Sequence, residues 1–240
     1  MNRTPITTNA WRLAFAASGV AMLIGAPRHP ESDAHDSLRH ELATMTSHDD
    51  WLFAHSFVVA STVLLATGLW LAHRFGKWPT ALRRALFGTA VIVSAYVVET
   101  VFHLASAVDS DELHHGDAAP VAFTHVGLSI ALYPITGVAI AYLSARIFRT
   151  VAWRRKPLAV LGVAAGALHA VSVPLTMTFP DTEFTPVFAG AAILMALWAF
   201  GTGVAGLGRS AVAPAAIEDA RPLRSSDSAS VDMCGSSRSG

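Results

Sequence analysis

Four histidines and one glutamate lie inside long apolar stretches of this chain, and their side chains are the ones able to do chemistry: His55, His103, His125, His169 and Glu99. A charged side chain at the centre of a membrane helix costs about 2.5 to 3.5 kcal/mol on insertion scales, so such residues face a bundle interior and mark functional places. Imidazole is the commonest metal ligand in proteins and is neutral often enough near pH 7 to bind without first losing a proton. Three imidazoles at one depth can hold zinc, copper or iron with a position left open for water or substrate. Two facing imidazoles can instead clamp the iron of haem b between helices.

The spacing favours such a grouping. His55, His103 and His125 each fall little more than a turn inside the outer end of three consecutive apolar stretches, which predicts an outer tier at one level. Glu99 and His169 fall nearer the middle of theirs and predict a second, midplane tier. Glu99 and His103 are spaced i, i+4 and share one helix face. The cofactor ligands expected from this pattern are His55, His103, His125 and His169, and the metal ligands His55, His103, His125 and Glu99. Glu99 can also accept a hydrogen bond from a ligating imidazole, or pair with His169 as a proton-carrying couple. His55, nearest its helix end, is best placed to turn its polar edge to water.

Three functions of different kinds fit these residues. One is a haem or transition-metal membrane protein, with a role in electron transfer. The second is a proton-coupled transporter using Glu99 and His169, which would need a second copy of the chain or a membrane-complex partner to build a pathway. The third is a non-catalytic membrane subunit whose polar side chains only fix helix packing. A three-histidine metal with bound water can hydrolyse bonds, but no nucleophile or substrate pocket can be named.

The elements that must position these residues are membrane helices. Of the 240 residues, 52% are hydrophobic and only 14% charged, far from the roughly 25% charged content of a soluble domain. About 20 apolar residues cross the hydrocarbon, and six stretches are candidates: 10–26, 51–73, 85–108, 120–147, 157–179 and 184–208. The fold expected is an all-α integral membrane protein, a six-transmembrane-helix bundle in contact with the lipid bilayer. The first stretch has a basic start and a short apolar centre, Leu13 to Ala26. It reads as an uncleaved helix rather than a secretory signal, because Ile24 and Ala26 followed by Pro27 make a poor cleavage site.

Charge sets the expected orientation. With both termini cytoplasmic, fifteen of the seventeen Lys and Arg residues fall inside and only Arg28 and Arg39 outside, as positive-inside topology demands. Twelve of the seventeen acids, and all the histidines except His73, fall in or towards the outer side. The net charge of zero therefore hides a dipole across a plasma-type membrane. The cations read as juxtamembrane anchors rather than a basic domain, which argues against nucleic acid as a partner. Residues 1–208 make the membrane domain, and 209–240, rich in Ser, Ala, Asp and Gly, read as a disordered cytoplasmic tail. Cys234 stands alone, so disulfides and thiolate metal clusters are excluded.

The outer loops carry further histidines. His29, His35, His40 and His48 stand among six acids in 27–50, and His114 and His115 stand among Asp111, Glu112 and Asp117; such clusters can gather divalent cations. Ser47 with Asp50 reads as a capping box that starts a helix at Trp51, after a short amphipathic or irregular interfacial stretch. Pro134 and Pro174 fall inside helices. Gly162 with Gly166, and Gly201 with Ala205, offer small faces for close helix contact. Trp51, Trp70, Trp78, Trp153 and Tyr142 read as interfacial anchors.

Overall fold

The computed structural model describes residues 5–30, 36–180, 182 and 184–207, and among these the regular structure is entirely helical. The tail expected at 209–240 lies outside the described residues. The helices are α1 (Pro5–Gly25), α2 (Leu38–Thr46), α3 (Trp51–Phe75), α4 (Thr80–Ala105), α5 (Ser110–His115), α6 (Pro120–Phe148), α7 (Lys156–Thr178) and α8 (Thr185–Ala205). Six of them, α1, α3, α4, α6, α7 and α8, are long and apolar enough to cross a membrane. Their bounds match the six expected stretches to within about three residues except at the starts of α1 and α4, each five residues early. α4 starts earlier than expected, at Thr80, because Arg83 and Arg84 can extend their long side chains to the interface instead of ending the helix.

The six long helices close into a ring in chain order. Each packs against its sequence neighbours, and α1 returns to pack against both α3 and α8. α1 thus supplies an integral part of the wall, with Trp11 and Phe15 buried in the main core. Hydrogen bonds between helices reinforce the ring, as expected where lipid offers no competing partner. The Ser61 hydroxyl donates to the Ser18 carbonyl at 2.9 Å, Thr62 and Thr100 hydroxyls meet at 3.0 Å, and Thr89 donates to the Ala139 carbonyl at 3.2 Å. Exposed apolar side chains such as Leu52, Val91, Val138 and Val160 lie on the outer surface that lipid would cover.

Small residues set the closest approaches. A Cβ placed on Gly137 would sit 2.4 Å from the Gly166 carbonyl oxygen, and one on Gly166 would sit 2.5 Å from the Gly137 oxygen. The α6–α7 contact is therefore backbone against backbone. Gly162 fills the expected role against Ser144 and Trp198. On α8 the expected Gly201 meets only the flexible Leu158 side chain, and the close contact falls instead on Gly203, against the α1 backbone at Arg12 and Ala16.

The interior is divided along the membrane normal. The main apolar core runs through Phe15, Leu69, Leu86, Leu143 and Trp198, all towards the basic end where α1 begins and α8 ends. The opposite end holds the buried ionisable side chains His55, Glu99 and His125, with Thr100 and Ser129 beside them, whereas the apolar core carries only buried hydroxyls such as Thr89, Ser144 and Thr202. Over that polar end lie α2 and α5, packed on each other around Leu42, Ala43 and Leu113. The Arg39 guanidinium ties them by donating to the Glu112 carbonyl of α5 at 3.4 Å and to the Asp117 carbonyl just beyond it at 2.8 Å. Of the amphipathic or irregular stretch expected before Trp51, residues 38–46 are helical, as α2, and α5 is a short helix where a loop was expected.

One cap differs from the expectation. α3 does begin at Trp51, but Ser47 does not cap it: Ser47 ends α2, and its hydroxyl donates back to the Thr44 carbonyl at 3.1 Å. The expected capping box fails because α2 and α3 are so close in sequence that Ser47 is engaged by the helix before it. At α6 the cap comes from a distance: the Asp109 carboxylate accepts from the Val121 and Ala122 amides at 2.6 and 2.9 Å.

Candidate metal centre

Trp51 forms the floor of a histidine cluster at the polar end. Its ring is buried and stacks on His55 one turn later, centroids 3.7 Å apart, and meets His103 at 5.2 Å. The indole N–H donates to the Leu104 carbonyl at 3.2 Å. This overturns the interfacial-anchor reading of Trp51: its polar edge is satisfied by the neighbouring helix end rather than by water. Trp153 and Tyr142 are exposed, as anchors should be.

His55, His103 and His125, on α3, α4 and α6, do come together. The His55 and His103 ring centroids are 4.3 Å apart, and His103 and His125 stack at 4.0 Å with 18° between planes. His55 does not reach for water; it is 1% exposed, because Trp51 and the turn after α1 cover the end of its helix. Its Nδ1 lies 2.8 Å from the Trp51 carbonyl. A carbonyl can only accept, so Nδ1 carries the hydrogen and Nε2 of the neutral ring keeps its lone pair. That Nε2 is buried and has no hydrogen-bond partner.

The cluster has a fourth imidazole, His29, on the turn after α1, with ring centroids 4.8 Å from His55 and 5.9 Å from His103. Its Nδ1 lies 2.8 Å from the Pro30 carbonyl, which fixes the same tautomer as in His55. The residue keeps solvent exposure while its ring packs inward. Burial of that ring lowers its pKa below the ordinary histidine value, against an opposing pull from the Pro30 bond. In the sequence His29 is one of a dispersed loop group, and nothing in its spacing distinguishes it from His40 or His48. Those two stay apart, His40 lying 3.6 Å from Asp36 and His48 accepting from the Asp50 amide. His35 lies outside the described residues.

Glu99 joins this cluster instead of forming a midplane tier. Its carboxylate is fully buried, with Oε1 3.0 Å from His125 Nδ1 and accepting from the Ser129 hydroxyl at 2.7 Å. The other oxygen, Oε2, has no partner. The two-tier expectation ranked residues by position along the helix, and a glutamate side chain spans the turn that separates Glu99 from His103. His169 is left elsewhere: its ring stacks on Tyr133 at 4.4 Å and meets Tyr96 at 5.2 Å. Glu99 therefore takes His125, not His169, as its imidazole partner.

Two groups have ligand atoms all within 4.8 Å of one another: His29, His55 and His103, and Glu99, His103 and His125. Metal–nitrogen and metal–oxygen bonds near 2.0 to 2.2 Å put such atoms within small rotamer adjustments of one ion. His103 belongs to both groups. Against known proteins the chain matches no family model, no curated protein and no solved structure. What the chain can do is therefore read from the site alone: a membrane protein with buried His and Glu groups able to hold a metal ion.

Proposed function

We propose that this chain is a metal-binding membrane protein whose ion, zinc, copper or iron, is seated on Glu99, His103 and His125. The observation that carries the reading is the unpartnered Oε2 of Glu99, buried beside two imidazoles. A buried carboxylate oxygen without a partner is costly, and a cation bound there would remove that cost. Glu99 supplies charge, His103 and His125 supply neutral nitrogen donors, and Ser129 orients the carboxylate from behind. Copper or iron would make the centre fit for electron transfer; zinc would make it structural or hydrolytic.

The packing favours an ion over haem b. Axial ligation needs each imidazole to aim a ring nitrogen at iron across an intervening porphyrin, whereas His103 and His125 stack face to face at 4.0 Å. A proton-coupled transporter is disfavoured by the absence of a Glu99–His169 pair and by the apolar core that fills the other half of the ring. The same residues in a merely structural subunit would be expected to satisfy one another more completely. The asymmetry of Lys and Arg supports placing the histidine end outside a plasma-type membrane, with both termini cytoplasmic.

Elemental analysis with an optical spectrum of the full chain, purified in mild detergent from metal- and haem-replete cells, tests this. About one metal ion per chain is expected, lost in a His103→Ala, His125→Ala double variant. A Soret band would replace the ion with haem, and a colourless, metal-free wild type would sink both.

A further inference from the structure

Two ligand groups that share one residue raise the question of what the second is for. The His29, His55, His103 group differs from the Glu99 group in two respects. It reaches solvent, because His29 is exposed while Glu99 is fully buried. It is also carboxylate-free, built from imidazoles of which two have their tautomers fixed by backbone carbonyls, so that His29 and His55 both present Nε2 lone pairs. Such a group offers a divalent ion nitrogen lone pairs without a countercharge, and holds it less tightly than a group with a buried carboxylate would.

Two ions at once are disfavoured. Their combined charge would face a single carboxylate in a low-dielectric interior, and they would compete for the one His103 ring. A single ion, in contrast, meets a continuous file of donors: His29 and His55 at 4.8 Å, His55 and His103 at 4.3 Å, His103 and His125 at 4.0 Å between ring centroids. Because His103 is common to both groups, the ion can change its other ligands without leaving the protein. The apolar core behind Glu99 leaves the His29 side as the polar approach.

Resting on the metal reading above, we propose that His29, His55 and His103 form a loading station that captures a divalent transition-metal ion and passes it through His103 to Glu99 and His125. The unpartnered, buried Nε2 of His55 is the lone pair the station holds ready.

Cobalt(II), followed by its visible d–d absorbance in stopped flow and by equilibrium dialysis, tests the proposal on the full chain in detergent. Wild type is expected to take up one cobalt. His29→Ala, and His29→Ala with His55→Ala, are expected to reach the same saturation and the same final band, with loading slowed about ten-fold or more, within the range that single-interface changes produce in association rates. Removing buried His55 can unfold the bundle, so His29→Ala, at an exposed position, decides by itself. Loading of His29→Ala at the wild-type rate overturns the station while leaving the seat intact. Two cobalt ions in wild type, one of them lost in His29→Ala, overturn it in favour of two independent sites, and complete loss of binding in His29→Ala makes His29 part of the seat instead. A wild type that binds no cobalt overturns the metal reading together with the station.

Discussion

The His125 imidazole and the Glu99 carboxylate, on neighbouring helices, meet at 3.0 Å where neither is open to solvent. Burial makes this contact strong and its loss expensive, since a lone buried carboxylate has no water to turn to. Glu99→Gln keeps the size and removes the charge. Metal affinity is expected to fall at least about 10- to 100-fold, the range seen when only the orienting partner of a ligand is lost, in a chelator-competition titration of the detergent-purified protein.

His169→Ala is expected to leave metal content and affinity at the wild-type level, because that ring belongs with Tyr96 and Tyr133 and not with the histidine cluster. Elemental analysis of this single variant checks the separation. Metal lost from it would mean that the deeper histidine communicates with the seat after all.

Trp51 is buried and stacked on His55, and its removal leaves a cavity under the cluster. Trp51→Ala is expected to cost about 3 kcal/mol of stability, in line with large-to-small changes in packed interiors. Trp51→Phe, which keeps the stack and forfeits only the bond to Leu104, is expected to cost about 1 kcal/mol. Thermal unfolding in detergent separates the two.

Gly137→Ala forces a Cβ to within 2.4 Å of the α7 backbone, whereas Gly88→Ala meets nothing within 4 Å. The first is expected to lower the melting temperature sharply. The second is expected to be neutral or to raise stability by up to about 1 kcal/mol, the helix-propensity gain of alanine over glycine. A fall of equal size in both would remove the distinction between a close contact and an open helix face.

Asp109→Ala takes away the only carboxylate seen capping the start of α6 among the described residues. A loss of about 1 kcal/mol is expected, together with faster hydrogen exchange confined to the Val121 and Ala122 amides and their turn. Unchanged exchange there would show that the cap is not what holds the helix end.

The helices were legible because their signal is simple: length, apolarity and the alternation of charged ends. The level placement of His55, His103 and His125 was legible for the same reason, since depth along a membrane helix follows from counting residues. Glu99 was misplaced because depth at Cα ignores how far a side chain reaches, and His29 was passed over because it sits on a turn whose fold returns it to the cluster. Trp51 shows the same limit: a tryptophan at a helix start reads as an anchor until the helices stacked above it are known. Gly137 with Ala141 repeats the spacing of Gly201 with Ala205, but only the fold shows that this pair meets Gly166 on the next helix.

The division of the interior into a polar half and an apolar half has an electrical consequence. A transmembrane potential does work on a charge only over the part of the field that the charge crosses, and full crossing is worth about 2.3 kcal/mol per elementary charge per 100 mV. A cation reaching Glu99 from the histidine end stops with the whole packed layer of Leu69, Leu86, Leu143 and Trp198 still ahead of it. Its occupancy would then follow the chemistry of one compartment and respond only weakly to voltage, as a gauge does and a conduit does not.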